Sequence, residues 1–134
     1  MIKQISMNLE RVFIPEFEDN KKQDANDQIK VHYKAITSTL KEDLIRPSVE
    51  YRKNEKTNEV DPIYFVQVDM KRTLEKLVTS IENLGYATNG GDTKKITGVQ
   101  ALFDAPIEAG FYPLIQETFA YFQELLVEGA HTKN

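Results

Sequence analysis

Cysteine is absent from the 134 residues. That excludes disulfides, thiolate metal sites and thiol nucleophiles. Histidine occurs only twice: His32 falls on the polar side of a strand pattern between Lys30 and Lys34, and His131 falls in the C-terminal tail. So sparse a set does not make a metal triad or a Ser-His dyad. Long apolar runs are missing too. The opening MIKQISMNLERVFIP has no signal-peptide core, and no stretch approaches the ~18 apolar residues of a membrane span. Nor is there a basic excess. Lys and Arg number 17 against 21 Asp and Glu, a net charge of −4, so neither a nucleic acid nor a membrane is expected as a partner. The glycines of Asn89-Gly90-Gly91-Asp92 lack the GxxxxGK spacing of a phosphate cradle and read as a turn. No internal repeat or low-complexity segment is present.

What remains is an ordinary globular composition, 40% hydrophobic and 28% charged. The length suits a single domain over 1–134 that buries about 68% of its unfolded surface. The pattern predicts an α+β chain: N-terminal antiparallel strands and hairpins over 1–68, a helical half over 69–128, and a frayed tail over 129–134.

Glu10 to Pro15 alternates as a short strand, with Val12 and Ile14 on one side and Arg11 and Phe13 on the other. Glu16 to Gln28 is polar and aperiodic, and reads as a long exposed loop. Its Asp24, Asn26 and Asp27 lack the glycine and bidentate Glu of a calcium loop. Gln28 to Lys34 is the clearest strand, with Ile29, Val31 and Tyr33 on one face. It is expected to pair with the first strand. Thr37 or Ser38 caps a short helix that Pro47 ends. Ser48 to Gln67 reads as a second hairpin, with Pro62 confining the returning strand to an edge or a bulge.

Asp69 to Leu84 reads as one helix. Asp69 is the N-cap, Met70, Leu74, Leu77, Val78, Ile81 and Leu84 form the core stripe, and Gly85 is the left-handed cap. Thr97 and Gln100 form a capping-box pattern for a short helix that Pro106 stops. The last helix, Phe111 to Val127, has the broadest apolar face. Its Phe, Tyr, Leu and Ile positions fill an arc of roughly 180°, against the ~100° or somewhat more of a typical core-facing stripe. The centre of that arc, at Phe111, Ile115 and Phe122, is expected in the core. Its margins, Tyr112, Phe119 and Tyr121, are the candidate partner-binding residues, because interfaces enrich large aromatic side chains. Asp104 and Glu108 flank Pro106, but nothing near them in sequence would raise a carboxyl pKa. No catalytic residue, metal ligand or cofactor is expected.

The order of these segments carries a resemblance. DQIKVHYKAITSTLKEDLI leads into a helix ending in IENL, then a polar hairpin, then ITGVQALFDAP, then LIQETFAYFQELL and a short tail ending in KN. This is similar to the small tail assembly chaperones of long-tailed bacteriophages, over Val12 to Ile45 and Met70 to Asn134. Arg46 to Asp69 stands as an insertion relative to that pattern. The resemblance implies a non-enzymatic protein of the host cytoplasm that binds the tape-measure protein and assists tail-tube assembly. It implies phage structural proteins as partners, with self-association beside them, and often a longer frameshifted product. The alternative is a permanent structural component of the virion, a neck or tail connector.

Overall fold

A computed structural model describes residues 1–7 and 10–128. Val12–Phe13 (β1) and Lys30–Tyr33 (β2) pair antiparallel, as the alternation predicts. The segment between them is more ordered than its polarity suggests. Phe17–Lys22 forms 3-10 turns, and Asn20 is only 3% exposed. Its side-chain amide donates to the carbonyls of Pro15 and Ile29, and its carbonyl accepts from the Ile29 amide. A polar side chain buried this way clasps both ends of the loop, which is therefore not simply a solvated excursion.

Ser38–Leu44 (α1) follows, capped by the Thr37 hydroxyl, which accepts from the Leu40 amide. It ends at Leu44, ahead of Pro47, and passes without a loop into Ile45–Lys53 (β3). Val60–Val68 (β4) returns antiparallel along the whole length of β3 and forms a separate two-stranded sheet. Both strands are edges, so Pro47 and Pro62 are tolerated within them.

Met70–Leu77 (α2) begins at the expected N-cap, where the Asp69 carboxylate accepts from the Arg72 amide. The helix expected through Leu84 stops at Leu77. Val78–Glu82 (β5) continues as a strand and pairs antiparallel with β2, completing a sheet ordered β1-β2-β5. The apolar spacing serves both geometries: Leu74 and Leu77 are buried from the helix, Ile81 from the strand. The β-branched Val78, Thr79 and Ile81 favour extension, and β2 would otherwise have an open edge. The register slips between His32 and Tyr33, leaving Thr79 as an extra residue, so Val78 joins the core side opposite Tyr33. The chain then turns at Asn83, whose φ is 61°.

Gly85 is accordingly not a helix cap. It opens Gly85–Ala87 (β6), which pairs with Thr93–Lys95 (β7) around the predicted Asn-Gly-Gly-Asp turn. A Cβ at Gly85 would sit 2.8 Å from the Lys94 carbonyl oxygen, so this close crossing requires glycine. The C-terminal part is thus not purely helical. Val99–Asp104 (α3) is capped at Gly98 without a side-chain bond; the expected Thr97–Gln100 box is not made, and Gln100 instead donates to Asp104. After a 3-10 turn at Ile107–Ala109, Tyr112–Gln123 (α4) runs into a wide final turn, Glu124–Glu128. The tail and His131 lie outside the described residues.

The core lies between the three-stranded sheet and the helices. Leu74, Leu77, Leu114, Phe122 and Leu126 are at most 1% exposed. Phe111 and Ile115, at the centre of the α4 arc, are buried as expected. Among the described residues, no helix is long and apolar enough to cross a membrane.

Candidate interaction surfaces

The three aromatic residues at the margins of the α4 arc take different roles. Tyr121 is half-buried and belongs to the fold. Its ring stacks on Phe13 at 4.3 Å between centroids, and its hydroxyl lies 2.7 Å from that of Tyr33. Burial, and then the bond to Tyr33, raise its pKa above the usual tyrosine value. Phe119 is half-buried. Tyr112, at the start of α4, is 54% exposed.

Tyr112 stands on the rim of a small groove of about 110 Å³ between α3 and the start of α4. Leu102, Phe103, Pro106 and Phe111 form its walls, and Ile107 shares the rim with Tyr112 at 92% exposure. Pro106 ends α3, and the short 3-10 turn after it turns Ile107 outward. A groove with apolar walls and two large exposed side chains at its mouth can take an apolar side chain from a partner helix. Ile107 was not singled out by the sequence pattern, because it belongs to no periodic segment.

A second apolar surface lies on the β3–β4 arm. The register places Ile45 opposite Val68, Pro47 opposite Val66, and Val49 opposite Tyr64. Tyr51 opposite Pro62 and Lys53 opposite Val60 complete the same face. Cross-strand partners share a face, so nine of these ten positions are apolar and Lys53 is the single charge. Tyr64 is 76% exposed and Tyr51 69%. The other face carries Arg46, Ser48, Glu50 and Arg52 opposite Gln67, Phe65, Ile63 and Asp61. The run Ile63-Tyr64-Phe65-Val66 puts apolar residues on both faces and obscures the alternation in sequence; the register resolves it.

The candidate chemical groups are dispersed. Among the described residues, no three His, Asp or Glu side chains gather as a metal site. Asp104 accepts from Gln100, while Glu108 is the one carboxylate among the described residues that line an open recess of about 640 Å³ beside β6. His32 bonds to Glu82 across the β2–β5 pair, on the outer face of the sheet. That bond, with the charges of His32 and Lys30, lowers the Glu82 pKa.

No family model, curated protein or solved structure matches the chain.

Proposed function

We propose that this protein acts by binding, as a tail assembly chaperone-like protein of a tailed phage or prophage that holds the tape-measure protein in the host cytoplasm and assists tail-tube assembly. The observation that carries this reading is the α3–α4 groove, with Ile107 and Tyr112 exposed at its mouth. A tape-measure protein is a long helical chain, and a groove of this kind suits one apolar side chain from such a helix. The net charge of −4 helps keep a protein with exposed apolar surface dispersed. The family resemblance rests on an order of strand pair, helix, polar hairpin, short helix and long helix; this chain has those elements with β3–β4 and β5 set among them, and Ile81-Glu82 of the IENL sequence lie in β5 and not at a helix end.

Co-expression with a large helical tape-measure protein from the same phage or prophage tests this reading. Co-purification is expected, with Ile107→Asp and Tyr112→Ala together weakening the complex on the order of tenfold or more. Absence of a complex at low salt, with both proteins dispersed, overturns it. A second reading, a permanent neck or tail connector, is favoured by the β3–β4 arm, since projecting arms suit lasting assemblies. Its presence at stoichiometric copy number in purified particles would decide for that role.

A further inference from the structure

The β3–β4 arm is poorly explained by the monomer alone. A two-stranded ribbon is at best marginally stable in water, yet this one pairs nine residues of each strand and leaves its apolar face largely uncovered. We infer that this face receives a second copy of the chain, the two arms stacking face to face and antiparallel about a two-fold axis. The inference does not depend on the tape-measure reading, and it uses a surface separate from the α3–α4 groove.

Face packing is favoured over strand addition. Pro47 and Pro62 deprive each strand of an amide donor, which weakens both edges as templates for another strand. Stacking covers the apolar face instead, producing two sheets about 10 Å apart with a dry interior.

The charge of the arm is compatible with a second copy as the occupant. Over 45–68, Arg46, Arg52, Lys53 and Lys56 balance Glu50, Glu55, Glu59 and Asp61, so the arm is neutral and the rest of the chain holds the whole −4. Two copies repel through their bodies but not through their arms.

The ends of the arm are complementary as well. Val49 opposite Tyr64 is the middle pair of the ladder. A two-fold axis through that pair lays the tip of one arm, with Lys53, over the base of the other. At that base Val66 shares a recess with Gln123, Glu124 and Val127. Lys53, the one charge on the apolar face, is thereby brought to Glu124 of the other copy.

The area is sufficient. Ile45 and Val68 at the base pack against the chain's own core, and the remaining arm, about 25 Å long and about 10 Å wide, offers on the order of 400–500 Å² of accessible surface, so that two of them bury roughly 800–1,000 Å², the lower end of a specific interface. A contact of this size belongs with weak, concentration-dependent association, so the dimer is expected to form at the upper end of a micromolar range, about 10–500 μM.

Sedimentation velocity of the full chain from about 1 to 500 μM tests this. A monomer–dimer equilibrium is expected, and Val49→Glu with Tyr64→Glu should leave only monomer while the thermal transition of the body is retained. Lys53→Glu and Glu124→Lys should each weaken the dimer roughly tenfold, and their combination should restore it. Because the chain lacks cysteine, a Val49→Cys variant carries a single thiol. A short bismaleimide should link it to its own copy, and should not link Glu50→Cys on the opposite face. A wild-type chain that stays monomeric throughout overturns the proposal, as does a dimer that survives the double glutamate variant or cross-links only through position 50. Failure of the combined charge swap to restore association overturns the antiparallel arrangement.

Discussion

The hydroxyls of Tyr33 on β2 and Tyr121 on α4 meet at 2.7 Å, joining the sheet to the last helix. Burial and this bond both favour the neutral phenol of Tyr121, whose pKa is raised above the usual tyrosine value. The contribution of the raised group is complete below the unfolded tyrosine value of about 10 and is lost as pH climbs towards the folded value. Tyrosinate absorbance should therefore show a late step that disappears in Tyr121→Phe. The same variant should show a shallower loss of stability above pH ~10.

Glu82 gives the acid-side counterpart. Its bond to His32, aided by the charges of His32 and Lys30, outweighs desolvation and lowers its carboxyl pKa. A lowered carboxyl contributes above its unfolded value of about 4.3, and that contribution is lost as pH falls through the folded value. A carbon-detected NMR titration should place Glu82 below the ordinary glutamate range, and His32→Ala should move it back up.

Asn20 makes three hydrogen bonds to the backbone at Pro15 and Ile29. Asn20→Ala leaves buried backbone groups unpaired, with an expected loss of about 2–4 kcal/mol. Denaturant unfolding measures it, and hydrogen exchange should localise the added opening to the Phe17–Lys22 segment.

Thr73 offers the reverse case. It is 0% exposed, and its hydroxyl has no hydrogen-bond partner among the described residues. Thr73→Val keeps the shape and removes an unsatisfied polar group, so stability should rise by about 1 kcal/mol. A lower denaturation midpoint would show that the hydroxyl is satisfied in solution.

Where a local rule acted alone, the structure was legible in sequence. Thr37 and Asp69 cap the helices they were expected to cap, the Asn-Gly-Gly-Asp turn closes its hairpin, and Phe111, Ile115 and Phe122 are in the core. The sequence is ambiguous where two geometries fit one pattern. Leu74, Leu77 and Ile81 suit a continuous helix as well as a helix followed by a strand, and only the open edge of β2, which comes from far earlier in the chain and sets Val31 opposite Ile81 and Tyr33 opposite Val78, decides between them. Asn20 was hidden because a buried clasp and a surface asparagine look alike in sequence. The groove depended on Ile107, an isolated residue in a 3-10 turn. The arm's apolar face emerged only once Val49 was known to lie opposite Tyr64.

The arm leaves the body at Ile45 and re-enters it at Val68, which face each other. A chain break within its tip, at 54–59, would leave β1, β2 and α1 on one fragment and α2, β5 and everything after them on the other. Neither fragment can complete the central sheet, because β2 must find β5. The protein is therefore a natural split pair: two separately made halves should regain the sheet only on mixing, and their reunion can be read directly from the return of the β2–β5 ladder.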